Sequence, residues 1–194
     1  MMQSVSVSVL KFWFEELTPA QWWQKNKTLD RKITERFSDL HRQACLSELF
    51  AWRATAEGRL AEIIVLDQFS RNIYRDSATA FAADGMALAL SQEAIRIGAD
   101  QALTPQQRVF LYMPMMHSES LKIHEVALAL FEKNAEPEVG YEHEQSGAAS
   151  SLQYERLHKD IIARFGRYPH RNAILDRESS TEEAAFLQQP GSSF

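Results

Sequence analysis

The 194-residue chain predicts an all-α, single-domain fold, and three observations carry that prediction. Apolar residues recur at i, i+3, i+4 and i+7 along most of the chain, the spacing that collects them on one face of a helix. Helix breakers are scarce, with 7 Gly and 6 Pro, and most stand where a helix would start or stop. Alternation of apolar and polar residues is not sustained, and Val5-Ser6-Val7-Ser8-Val9 is the one strand-like stretch. The expected architecture is an antiparallel array of about eight or nine helices. It spans residues 1–189, with residues 190–194 as a flexible tail.

Taken in order, Leu10, Trp13, Phe14 and Leu17 form a short amphipathic helix that the preceding serines can cap. Thr18-Pro19 pairs a cap with a first-turn proline and opens a second short helix carrying Trp22 and Trp23. From Thr28 to about Ala44, Leu29, Ile33, Phe37, Leu40 and Ala44 mark a longer helix with a charged outer face. A further helical piece begins at Ser47 and is interrupted at Gly58. The helix from about Glu57 to Tyr74 carries Leu60, Ile63, Ile64, Leu66 and Phe69, which leave little of its surface fit for water, so it should be central. Ser77 can cap a helix running to Ile97, closed by Gly98, with Phe81, Leu88 and Ile95 inward and alanines allowing close approach. Thr104-Pro105-Gln106-Gln107 is a capping box with a first-turn proline, and Pro114 should kink or end the helix it starts. Leu121, Leu128 and Phe131 mark the next helix. Asn134 to Ser150 is a loop, and the last long helix, about Ala148 to Phe165, buries Tyr154, Leu157, Ile161 and Phe165. Ser180-Thr181-Glu182-Glu183 signals a short closing helix.

Bulk composition narrows the function classes. A formal charge of −5 argues against a general nucleic-acid binder, which needs a basic face. No apolar run approaches the roughly 18 residues of a membrane span. The N-terminus lacks a basic segment followed by an apolar core, so no signal peptide is expected. Cys45 is the single cysteine, which excludes an internal disulfide and points to a cytoplasmic protein.

Candidate chemistry concentrates in three stretches. In the first, Leu60, Ile64, Asp67, Arg71 and Arg75 lie along one helical stripe with Gln68 beside it, so an apolar face becomes a charged one without turning outward. Such groups must pair with one another or line a cavity. The second, His117-Ser118-Glu119, follows Pro114 and sets an imidazole, a hydroxyl and a carboxylate side by side. The third is Arg164-Phe165-Gly166-Arg167-Tyr168-Pro169-His170-Arg171-Asn172, in which Gly166 stops a helix and Pro169 stiffens the exit. Arg167, His170, Arg171 and Asn172 thus sit on a rigid loop, with His158 inward on the preceding helix. The spacing of His117, Glu119 and His124 is not that of a helical zinc site, so no metal and no cofactor are expected.

The stretches Leu66 to Arg75, Met116 to Glu119 and His158 to Asn172, with Phe12-Trp13-Phe14, Trp22-Trp23 and Arg177-Glu178-Ser179, resemble a bacterial family known as domain of unknown function 924. The resemblance covers nearly the whole chain. It implies an all-helical, tetratricopeptide-like fold and no particular activity, cofactor or catalytic residue. The 34-residue period of such repeats is not evident in the sequence itself.

Three functions compete. One is binding of a small anion or an acidic peptide end by Asp67, Gln68, Arg71, Arg75, Arg167, His170, Arg171 and Asn172. The second is a hydrolase-like enzyme using His117 or His158 as general base beside Asp67 or Glu119. The third is a scaffold for a protein partner, in which the same residues form a buried ion-pair network. These stretches are expected to converge in one polar pocket, with His117-Ser118-Glu119 at its rim.

Overall fold

The strand-like stretch Val5 to Val9 is helical. It lies in α1 (Met2–Lys11), which turns Ser6 and Val9 inward and leaves Val5 and Val7 exposed. Its alternation is overridden because α1 packs against a neighbouring helix, α4 below, rather than against another strand. The computed structural model describes residues 2–192, all within one domain. α1 widens into a π-helical segment, Phe12–Glu16, and α2 (Pro19–Trp23) follows. The Thr18 amide donates to Gln21 Oε1 at 2.8 Å, so the expected cap also takes Gln21 as its partner. α3 (Lys27–Cys45) is capped by Asn26, whose Oδ1 accepts from the amides of Thr28 and Leu29. It buries Leu29, Ile33, Phe37 and Ala44 as the spacing predicts.

After a 3-10 turn, Phe50–Ala54, comes α4 (Ala56–Ile64), capped by Thr55. It continues without a break through a π-helical segment, Val65–Phe69, into α5 (Ser70–Ile73). Gly58 does not interrupt a helix. It lets the first turn of α4 pass the preceding chain, because a Cβ there would stand 2.0 Å from the Trp52 carbonyl oxygen. Every residue from Leu60 to Phe69 that was expected to be apolar core is fully buried, so this helix is the central one. Around it lie α1, α3, α6 (Asp84–Arg96) and α7 (Pro105–Met116).

α6 is shorter than expected. Ser77 caps a separate 3-10 turn, Ala78–Phe81, and α6 starts only at Asp84. Its buried face is Ala87, Ser91 and Ala94 rather than Leu88 and Ile95. Small side chains let α6 approach α7 closely enough for Ser91 Oγ to donate to the Leu111 carbonyl at 2.6 Å. Gly98 then takes the left-handed conformation that ends the segment. Pro114 is buried in the last turn of α7, which ends two residues later at Met116.

α8 (Leu121–Asn134) and α9 (Gln145–Phe165) pack together and against α7. The inward face of α9 is Ser151, Glu155, His158 and Ile162, with Ile161 alongside. Tyr154 and Leu157, expected in the core, are 53% and 46% exposed. The helix is rotated by about one residue from the apolar reading, because Glu155 turns inward to hydrogen-bond the buried His124 of α8. Gly166, at φ 68°, closes α9, and α10 (Thr181–Phe186) starts in a capping box between Ser180 and Glu183. With α4 and α5 taken as one continuous helix, the described residues hold nine α-helices and no strand. Of the tail expected from residue 190, Ser192 is buried and donates to the Leu187 carbonyl, and residues 193–194 lie outside the described residues.

The main core joins aromatic residues from both ends of this arrangement. Trp13, Trp22 and Trp23 all contact Phe110 of α7, Trp23 in a parallel stack at 5.8 Å. A smaller apolar cluster, Ile161, Ile162 and Tyr168 with Phe165 and Phe186, lies where α9 meets the C-terminal segment.

Candidate functional site

The site begins at the π-helical segment of the central helix. Such widened turns are frequent at functional positions, because they re-aim side chains. Here Asp67 and Gln68 are buried, Asp67 to 1% exposure. Asp67 Oδ1 lies 2.7 Å from His117 Nδ1 and 3.2 Å from Arg71 Nη1, and Oδ2 accepts from Gln68 Nε2 at 2.5 Å. Burial opposes the charge on Asp67, but Arg71 and His117 outweigh it and hold the carboxyl below its usual range. An ionised carboxylate can only accept, so His117 Nδ1 carries the proton and Nε2 the lone pair. Burial, and then the Arg71 charge, keep His117 below the usual histidine range, while Asp67 works against them.

Arg71 also grips a second carboxylate. Its Nη1 and Nη2 donate to Asp84 Oδ1 and Oδ2 at 2.9 and 3.0 Å, a bidentate pair across to the first residue of α6. On the other side of Asp84 stands Arg171, 6% exposed, with Nη1 3.5 Å from Asp84 Oδ2. Its guanidinium lies 4.7 Å from the Phe81 ring centroid and 4.5 Å from that of Tyr168. Arg171 Nε is buried and has no hydrogen-bond partner among the described residues. Burial and the neighbouring Arg71 charge lower its proton affinity.

Tyr168 is the hub that brings the C-terminal loop to the helices. Its hydroxyl donates to the Met116 carbonyl at 2.5 Å and lies 3.1 Å from His124 Nε2. Its amide donates to Glu119 Oε1 at 2.8 Å, and Glu119 in turn accepts a bidentate pair from Arg177. Around the Tyr168 ring stand His158 at 5.6 Å and His170 at 5.4 Å. Burial takes His158 down to about 3, and burial with the Arg171 charge takes His170 down to about 4, so both are neutral near pH 7.

The expected convergence holds for part of the set. Asp67, Gln68, Arg71, His117, His158, His170 and Arg171 meet around Asp84 and Tyr168. The others serve neighbouring contacts. Arg75 lies past the end of α5 and pairs with Asp30 of α3, which also accepts from Asn72. Arg167 pairs with Glu183 and the Glu178 carbonyl, clamping α10. Asn172 is buried and donates to Ser179 Oγ. Glu119 positions the loop rather than lining a rim.

Sequence reading missed Asp84, Phe81, Arg177 and Glu155. Phe81 reads only as an inward apolar residue and Arg177 only as part of the family resemblance, while Asp84 and Glu155 are not singled out. Two surface concavities, of about 250 and 510 Å³, lie elsewhere: one beside Leu10 and Thr55, the other beside Leu157 and Phe186. The arginine–histidine cluster is instead a nearly closed polar core, open through the partly exposed Arg71, Asp84 and His117. Among the described residues no three His, Cys, Asp or Glu side chains are arranged to hold a metal ion, and no helix is long and apolar enough to cross a membrane.

Fold and cluster together define an all-helical protein with a charged centre at the junction of its central helix and its C-terminal loop. The chain belongs to the family described as bacterial protein of unknown function (DUF924), which matches residues 9–191. It is similar to a solved structure of a protein of unknown function from Agrobacterium tumefaciens, at 34% identity and a TM-score of 0.85, covering 97% of this chain and 99% of that one. No curated protein matches the chain.

Proposed function

We propose that the protein binds a small anionic molecule, a carboxylate or a phosphate, at Arg171, with Arg71, His117 and His170 beside it. The observation that carries this reading is the state of Arg171. Its guanidinium is buried between two rings, its nearest carboxylate oxygen is 3.5 Å away, and that carboxylate is already held bidentately by Arg71. Removing a guanidinium from water costs several kcal/mol unless its donors are met, and an unpartnered Nε leaves that requirement open. A bound anion would meet it. Entry would come past the partly exposed edge of Arg71, Asp84 and His117. A cytoplasmic setting, where small anionic metabolites are abundant, fits the exposed and unpaired thiol of Cys45.

The test is a thermal-shift and calorimetric screen of small carboxylates and phosphates against the wild type, Arg171→Lys and Arg171→Met. Saturable binding to the wild type, weakened by Lys and lost in a folded Met variant, is the expected result. No binding by the wild type, together with an Arg171→Met variant at least as stable, would return the cluster to the scaffold reading, since apolar replacement of a buried ion is often stabilising.

A further inference from the structure

We infer that His117 is a general base whose Nε2 activates a water molecule against an ester group of the anion held at Arg171, which makes the protein an esterase for small anionic esters. The inference rests on the anion-binding reading above and adds a reaction to it.

The geometry that supports it is a histidine held by a saturated carboxylate. Asp67 Oδ1 is 2.7 Å from His117 Nδ1, and Gln68 and Arg71 occupy the rest of the carboxylate, so Asp67 can neither rotate away nor change partner cheaply. The ring is fixed in one tautomer and one orientation, with Nε2 unprotonated. Among the described residues no hydrogen bond engages Nε2, and the side chain retains 15% exposure while its carboxylate partner has 1%. The basic edge of a buried pair therefore faces the accessible side of the cluster. His117 also closes α7, and the Met113 carbonyl accepts its amide at 3.0 Å, so the backbone beneath the ring is fixed as well.

Water is the nucleophile because no serine or cysteine side chain is hydrogen-bonded to His117 among the described residues. Ser70 and Cys45 are instead engaged with His41 of α3, whereas Asp67 faces His117 at the end of α7. In the step, Nε2 takes a proton from water as the water oxygen bonds to the ester carbonyl carbon. The bond from that carbon to the alkoxy oxygen then breaks, and the proton passes from Nε2 to the departing oxygen. The products are the free acid and the alcohol, and the imidazole returns to its neutral form. While Nε2 holds the proton, the imidazolium is stabilised by Asp67. Asp67 is thus a positioning residue.

Besides burial, three charged groups set the proton affinity of His117: Asp67 and Arg71 from the central helix and Asp84 from α6, with the balance on the neutral side at pH 7. His158 of α9 and His170 of the C-terminal loop also face this cluster, and both are neutral there.

The experiment uses the full chain with the mono-p-nitrophenyl ester of succinic acid, and p-nitrophenyl acetate as the uncharged control. The wild type should cleave the charged ester in preference to the acetate, with kcat/KM falling on the acid side along a limb below pH 6.5. His117→Gln should lower kcat at least 100-fold with KM kept, whereas Arg171→Lys should raise KM with kcat largely kept. Asp67→Asn should lower kcat and move the acid limb further down, a change that a merely structural role would not produce. Imidazole ¹⁵N shifts should show His117 protonated at Nδ1 alone. Equal cleavage by wild type and His117→Gln, no cleavage above buffer, or a proton on Nε2 would each overturn the assignment. Succinate-induced thermal shifts in the same samples separate the two readings: if they persist, only the base assignment falls, and if they vanish, anion binding falls with it.

Discussion

At the scale of single residues, the charged centre is wired through Asp84, which Arg71 holds bidentately and Arg171 approaches at 3.5 Å. Arg71 was legible because it continues the stripe of Leu60, Ile64 and Asp67, and it does meet Asp67 at 3.2 Å. Arg75 extends the same stripe on paper, yet α5 ends at Ile73, so the 100° step no longer applies and Arg75 reaches Asp30, 45 residues away in sequence. Asp84 lies three residues after Phe81 and four before Leu88, on a face read as apolar, and its partners Arg71 and Arg171 come from distant segments, so the carboxylate shared by two arginines went unread. Leu157 is the matching case among apolar residues. Helical spacing places it in the core, but half of it faces water. Ile64→Ala and Phe69→Ala should each cost about 2–5 kcal/mol, and Leu157→Ala about 1 kcal/mol or less. Urea denaturation of the three variants checks the contrast, and equal losses would contradict the rotation of α9.

At the scale of elements, caps and stops were the most legible features, because their chemistry is local. The boxes at Thr104 and Ser180 form where the sequence places them, and Thr18-Pro19 opens α2 as expected. Gly166 takes the left-handed geometry expected of it, and Gly166→Ala should cost about 1–2 kcal/mol from backbone strain alone. Since Tyr168 and Arg171 follow within five residues, that strain would also be felt at the candidate site. Gly58 was misread as a break. Its role is a close approach between segments, which only the folded chain reveals. Gly58→Ala forces a Cβ against the Trp52 carbonyl and should lose about 1–3 kcal/mol, visible as a lowered melting temperature. The π-helical turn at Val65–Phe69 left no sequence signal, because local spacing looks the same with or without it.

At the scale of the whole molecule, burial of neutral histidines should set the response to acid. His158 and His170 are brought down to about 3 and about 4 in the fold, from 6.5 in the unfolded chain. Between those values the unfolded state binds more protons, so their contribution is full above pH 6.5 and is lost as pH falls, toward 4 for His170 and toward 3 for His158. Glu155 opposes this, because burial raises its pKa and lets the fold hold a proton that the unfolded chain releases. Stability should therefore begin to fall between pH 7 and 5, before most carboxylates titrate. The buried His158 contributes up to about 1.4 kcal/mol per pH unit. Urea midpoints across that range check this, with a shallower slope expected for His158→Asn, and a flat wild-type profile would contradict it. The aromatic cluster around Phe110 offers a further consequence. All 4 tryptophans lie between residues 13 and 52, three of them on that one ring, while the loop from Gly166 to Asn172 has none. Indole fluorescence is thus a lamp fixed in one half of the molecule. It dims when the N-terminal helices part from α7 and is blind to the loop that carries Arg171. Set against circular dichroism, which sees every helix, it can show whether the two halves of the chain let go together or in turn.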